Sequence, residues 1–451
     1  MKKILFICND VVGPKMAGPA IRCVELAKAL SKEFDVVLAG KKIVEDYKLP
    51  VRFLELTEAN ILSESINVEI VIFQGDTLTR FPKLLEMNCV LIADMYCPIP
   101  LEFHLSSASM SNNVRLSNSW HIARFNQEQF FAADYFICAS QRQMDFWMGA
   151  LTVSGRVNAL SMPNLKQSKI DNFLGSVPFG LPDKFPQKNG NRLREAFAIP
   201  KNEFVLVWGG GIYEWFDPMT IIQAISRLEK EGIIAHLVFI GVKHPNPSIG
   251  SHDRVGESVE LARSLGILDR LIHFNFGWVD YSLRHEYLMD ADVGVSAHMD
   301  NIETRYSFRT RMLDYLWCGL PIIATHGDEF GDLVKTRNLG IATDYEDVDG
   351  WYSAIKTIMT DADFYKNCKQ SVEQVREEYT WSKVSEGLIK ICSTIKVSND
   401  REYARTKARE IGLLGGGVRV PLLTRLRTVY ELFGIVGIFK VLARKILIKF
   451  K

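Results

Sequence analysis

From Ser307 to Val334 the chain reads SFRTRMLDYLWCGLPIIATHGDEFGDLV. Arg309, Arg311 and Asp314 open an apolar run that ends in Cys318-Gly319-Leu320-Pro321 and a strand-like segment. Cations at the start of a helix oppose its dipole. The conflict vanishes if an anion sits there, held by arginine and backbone N–H groups, and a diphosphate fits that description. Asp314, a turn further in, is a poor residue for a buried helix interior but suits the hydroxyls of a ribose. The plainer alternative is surface charge on an amphipathic helix.

Other stretches carry chemistry of the same kind. Gly13 to Arg22 (GPKMAGPAIR) follows the first strand-like run and leads into a helix, so Gly18 and Arg22 are candidates for an anionic group. Its spacing is not GxGxxG, and a plain turn between strand and helix is the competing reading. Gly209 to Gly211 (WGGGIYEWFDP) invite close approach of a ligand, with Gly210 and Gly211 as the contacts, or else form a tight packing turn. Tyr213, Trp215 and Phe216 beside them shape a sugar or base pocket or staple the next helix. Lys243 and His244 follow another strand, where a solvated loop pair is the alternative. Asp94 ends the run LIAD and is read as an acceptor-side or catalytic acid, against the alternative of a strand-end cap. His121 reads more simply as a core or surface residue than as a catalytic one.

These residues need a scaffold, and the hydrophobic pattern supplies one. Short apolar runs (KILFICND, FDVVLAG, VEIVIFQG, CVLIADMY, YFICAS) alternate with helix-period stretches, which predicts a parallel sheet covered on both faces. The pattern fades between 162 and 200 in a segment rich in Pro, Gly, Asn and Lys, read as a linker. It restarts with FVLVWGGG, AHLVFIG, LIHFNFG, DVGVSA, PIIATHG and LGIATD. The reading is α/β: two facing, Rossmann-like, doubly wound domains at 1–185 and 200–395, followed by a helical, basic, amphipathic C-terminal extension at 396–451. Ligands of such sheets bind at the carboxyl ends of the strands, which is where the glycine turns and arginines fall.

Composition narrows the partners. The 451 residues carry a net charge of +1, so no global field draws nucleic acid. Eight cysteines without a CxxC pair point to a reducing, cytoplasmic setting rather than a zinc or disulfide framework. MKKILFICNDVV reads as a first strand rather than a signal peptide, and no uninterrupted apolar stretch predicts a membrane span.

The pattern resembles the nucleotide-sugar glycosyltransferases of the GT-B fold, in particular the retaining glycosyltransferase family 4, over roughly residues 1 to 395. In that family the helix before the CGLP-like segment opens with Glu, then Phe-Gly, and bears a second Glu eight positions on. Here Tyr306, Phe308, Arg309 and Asp314 occupy the register. The resemblance implies that Asp314 holds the donor ribose and that Tyr306 stands where a Glu would meet the donor sugar. Glu303, three residues earlier, substitutes for it if the loop folds back. The family's Arg and Lys after the second domain's first strand are missing from GGGIYEWFDP, which leaves Arg309 and Lys243 to meet the diphosphate. The further likeness is to a subgroup of surface-polysaccharide and O-antigen assembly.

The expected activity is therefore transfer of a sugar from a nucleotide-diphospho-sugar to a glycan or lipid-linked acceptor, with retention. No cofactor or metal is expected, since no Asp-x-Asp ends a strand. Donor contacts are assigned to Gly18, Arg22, Gly210, Gly211, Lys243, Arg309 and Asp314, and catalysis to Asp94, Tyr306 and Glu303. The tail, with Arg425, Arg427, Lys440, Arg444, Lys445, Lys449 and Lys451, reads as a helix on an anionic membrane surface at the inner face of the cell membrane, or as one docked on the protein itself. Two other readings stay open: a nucleotide-sugar epimerase, and an inactive scaffold of the same fold.

Overall fold

The computed structural model describes residues 1–414 except 15, 109, 165–168, 243–252, 278 and 281, together with Tyr430. Two parallel sheets organise them. The first contains β1 (Lys3–Val12), β2 (Asp35–Ile43), β3 (Arg52–Glu55), β4 (Ile70–Gln74), β5 (Val90–Asp94), β6 (Tyr135–Cys138) and β7 (Leu174–Ser176), in the order β3-β2-β1-β4-β5-β6-β7. The second contains β8 (Phe204–Trp208), β9 (Ala235–Phe239), β10 (Ile272–Phe274), β11 (Val293–Ser296), β12 (Ile322–Thr325) and β13 (Gly340–Thr343), in the order β10-β9-β8-β11-β12-β13. Every residue of β4, β5, β9, β11 and β12 is buried, as expected for runs covered on both faces. Strand order reverses at β1/β4 and at β8/β11, and a crevice opens at such points.

Local chemistry fixes the bordering helices. Helix Pro218–Lys230 starts on Asp217, whose side chain accepts from the Thr220 N–H at 3.2 Å, with proline next. It buries Ile221, Ile222, Ile225 and Leu228 against the second sheet. Helix Thr310–Cys318 ends on Gly319 at φ 69°, a left-handed cap that glycine adopts without strain.

The structure redraws the outer boundaries. The segment read as a linker contributes β7 to the first sheet. The chain also returns from the second half to the first. Helix Trp381–Thr394 packs on helix Gly18–Leu30, and the Lys2 ammonium donates to the Cys392 carbonyl at 3.1 Å. The charge-rich stretch after 396 forms helix Arg401–Glu410, docked on the first domain by buried pairs: Asp400 with Arg156 at 2.9 and 3.0 Å, and Arg401 with Asp134 at 2.7 Å. The basic tail and its proposed membrane contact lie outside the described residues. Among the described residues no helix is long and apolar enough to cross a membrane.

Candidate active site

A cleft of about 610 Å³ lies between the two sheets. The first half lines it with Gly18, Pro19, Tyr96 and helix Ile99–Ser106, the second with Gly209 to Gly211, Tyr213, Trp215, Arg284, Glu303, Arg309, Arg311 and Asp314.

On the second wall, Gly210 turns at φ 94°, open to glycine but strained for other residues. The Tyr315 hydroxyl fixes this turn: it accepts from the Gly209 N–H and donates to the Val295 carbonyl, both at 2.8 Å. Tyr315 can lie there because β11 offers Gly294, whose missing Cβ would fall 2.4 Å from the ring. Tyr213 and Trp215 stack with centroids 5.0 Å apart and line the cleft.

The arginines differ from one another. Arg309 occupies the N-cap position of helix Thr310–Cys318 and donates to both Glu303 oxygens, at 2.9 and 2.7 Å. Asp328 lies 3.5 Å from its Nε. The cation expected to await a diphosphate is thus already matched by carboxylates of the protein. Burial pushes Asp328 up to about 6, against the pull of Arg309. It also drives His298, beneath them, well below the usual imidazole range, with help from the Arg309 charge. Arg311 has no such match. Its Nη2 donates to the Gly211 carbonyl at 2.7 Å, and its guanidinium lies 4.0 Å from the Phe216 centroid and 4.6 Å from that of Trp208. Its Nη1 has no partner among the described residues, and no carboxylate there pairs with it. Burial lowers it to about 10, still charged at neutral pH. Asp314 faces the same cleft and accepts from Arg284 at 2.7 Å.

The remaining candidates separate. Gly18 lines the cleft, at the start of a helix whose N-cap, Ala17, offers no side-chain acceptor. Arg22 and Asp94 do not line it. They pair at 2.7 and 3.0 Å, both side chains fully buried; Gln74 completes Asp94 at 2.8 Å and the Pro178 carbonyl accepts from Arg22 at 3.1 Å. Neither a diphosphate contact nor a catalytic acid fits a pair so closed. Tyr306 also lies off the cleft, its ring 4.9 Å from that of Phe146 and its carbonyl accepting from Gln143 at 2.9 Å. Glu303, from the adjoining turn, takes the place in the cleft. Lys243 and His244 lie outside the described residues, and His121 is off the cleft, edge-on to Phe125.

Residues 203–361 match the family described as glycosyl transferases group 1. No curated protein matches the chain. Among solved structures, HepE from Anabaena, in complex with UDP-glucose, superposes with a TM-score of 0.62 at 14% identity, covering 88% of this chain and 100% of that one. Sucrose-phosphate synthase from Thermosynechococcus elongatus gives 0.61 at 14% identity over 87% and 98%. WaaG, a glycosyltransferase involved in lipopolysaccharide biosynthesis, gives 0.59 at 13% identity over 86% and 99%.

The fold is GT-B.

In this GT-B chain the sequence reading missed two charged cleft residues, Arg284, which pairs with Asp314, and Glu102. Glu102, on helix Ile99–Ser106, faces the cleft from the first half. Burial pushes it up to about 7, and the Glu303 charge adds to the shift while Arg309 opposes it. In sequence it is a lone acid after Pro-Ile-Pro, with no spacing to mark it. Among the described residues no group of three or more His, Cys, Asp or Glu side chains is set to hold a metal ion.

Proposed function

We propose that the protein transfers a sugar from a nucleotide-diphospho-sugar to a glycan or lipid-linked acceptor in surface-polysaccharide assembly, at the cytoplasmic face of the cell membrane. The observation that carries the reading is Arg311: a buried cation with an unpartnered nitrogen and no carboxylate, in a cleft between two glycine turns. A buried charge without a counter-charge is costly, and a diphosphate removes the cost. Its oxygens would meet Arg311, the N–H groups opening helix Thr310–Cys318 and the Gly210–Gly211 turn, with Gly18 across the cleft. Asp314 would hold the ribose, and Arg309, bonded to both Glu303 oxygens, would fix that side chain beside the sugar. Stabilising the leaving diphosphate in this way is the main catalytic demand of the transfer. The match to glycosyl transferases group 1 and the UDP-glucose of one structural neighbour support the donor half. The lipopolysaccharide role of another supports the acceptor class. Retention and metal independence belong to the proposal.

A panel of UDP, GDP, dTDP, CDP and ADP in thermal unfolding tests it, because a ligand of the folded state alone raises its stability. One nucleotide should raise the midpoint of the wild type, and Arg311→Met and Asp314→Ala should lose most of the rise. No shift with any nucleotide would overturn the reading.

A second reading has its own observation. Glu102 and Glu303 face one cleft from opposite halves, the pairing that a nucleotide-sugar epimerase needs. Incubating the donor alone and analysing the recovered sugar distinguishes the two.

A further inference from the structure

We propose that Glu102 receives the acceptor: its carboxylate accepts the hydrogen bond of the acceptor hydroxyl and turns that oxygen toward the donor sugar on the opposite wall. The inference rests on the reading of the cleft as a nucleotide-sugar transfer site.

Three observations carry it. First, the wall around Glu102 is otherwise largely apolar, with Met16, Pro98, Ile99, Phe103 and Phe179 lining the cleft beside it. A carboxylate in such a wall is costly unless something pairs with it. Second, the Glu102 side chain makes no ion pair or hydrogen bond among the described residues, whereas Glu303, facing it, has both oxygens engaged by Arg309. Of the three carboxylates lining the cleft, Glu303 is paired with Arg309 and Asp314 with Arg284, and Glu102 alone has no cation partner among the described residues. Third, the cations that suit a diphosphate are on the second wall. An acid opposite them repels phosphate but suits an uncharged hydrogen-bond donor, so the group that docks at Glu102 is a sugar hydroxyl.

The groups acting on Glu102 are Glu303 and Arg309 from the second half. It interacts in turn with Tyr96 and Cys97 at the end of β5 and with Tyr213 after β8. Helix Asn112–Ala132, which also packs on its helix, supplies none of the groups acting on it. Burial, with Glu303 facing it, pushes the Glu102 carboxyl up to about 7, so the accepting form dominates only above about pH 7.

The test compares wild type, Glu102→Gln and Glu102→Asp. The nucleotide-sugar is the one matching the nucleotide that shifts unfolding, offered with an array of octyl glycosides, and released nucleoside diphosphate is followed from pH 5.5 to 9 (roughly two units about the expected midpoint). Wild-type kcat/KM for the acceptor should rise with pH and level off above about 7. Glu102→Gln should lose at least about tenfold of the plateau, roughly 1.4 kcal/mol, and show no limb. Glu102→Asp should keep the limb at reduced rate. All three should keep the same nucleotide-induced rise in midpoint. If wild type uses no glycoside of the array, release to water carries the same comparison. The proposal falls if Glu102→Gln transfers with wild-type rate and pH profile, if it loses the nucleotide shift, or if the donor is epimerised without acceptor. Absence of a nucleotide shift in the wild type would overturn the donor reading instead.

Discussion

Each half of the molecule buries an arginine near the start of a helix that borders the cleft, and the two have opposite surroundings. Arg22 meets both oxygens of Asp94, the Pro178 carbonyl and the Tyr96 ring. Arg311 meets one carbonyl and two aromatic faces, with a nitrogen left over. A buried cation whose carboxylate is built in is scaffold. One whose carboxylate is missing is, in the proposed reading, open to an anion from outside. The same residue type, buried in both places, thus takes opposite roles on that reading, and the distinction lies in which partners stand at hydrogen-bond distance.

The strongest way to break this comparison is to remove the built-in partner. Asp94→Asn should leave the Arg22 charge buried and unmatched, at a cost of about 3–5 kcal/mol in chemical denaturation; a loss under about 1 kcal/mol would show the pair to be incidental. Arg311→Met should do the reverse. Stability should hold or rise, because an unmatched cation leaves the interior, while affinity for the selected nucleotide falls by about 100-fold, roughly 2.7 kcal/mol, in calorimetry. Equal losses of stability in both variants would erase the contrast. A smaller effect sharpens it: Tyr315→Phe removes the hydroxyl joining the glycine turn to β11, and should cost about 1 kcal/mol with a several-fold weaker nucleotide.

The smallest effect concerns pH. The Glu102 carboxyl is raised to about 7 in the folded state. Its contribution is therefore fully present below the usual carboxylate range and is lost as pH rises through about 7. Glu102→Gln does not ionise, so its melting midpoint should match wild type near pH 4.5 and exceed it by a few degrees at pH 8, since about 1 kcal/mol moves the midpoint by a few degrees. A constant difference across that range would reject the shift.

The sheet cores were legible because fully buried parallel strands read as unbroken apolar runs. β3 (RFLE) and β7 (LGS) were not. Both are edge strands of three or four residues, too short to show a period. In the site, the glycine turns and the register of Phe308, Arg309 and Asp314 could be read because the residues are near one another in sequence. Which arginine already had a partner could not. Asp94 lies 72 residues from Arg22, and only the fold reveals that they meet. Tyr306 fell out of the cleft, and Glu303 into it, because helix Ile302–Tyr306, capped by Asn301, ends there and turns its last ring toward Phe146. Glu102 takes its character from burial in the cleft and from a charge in the other half, neither of which a local pattern encodes.

The return of the chain to its starting half has a consequence for engineering. Helices Trp381–Thr394 and Arg401–Glu410 complete the first lobe with material from the far end of the sequence. A fragment stopped at residue 185 would therefore expose the surfaces these helices cover and leave Asp134 without Arg401. Grafting a foreign second lobe onto this first lobe calls for two splice points, one after Leu181 and one before Thr380, where the chain crosses between lobes and Leu181 pairs with Thr380. A chimera cut there keeps its own clasp, and a single-junction swap severs it.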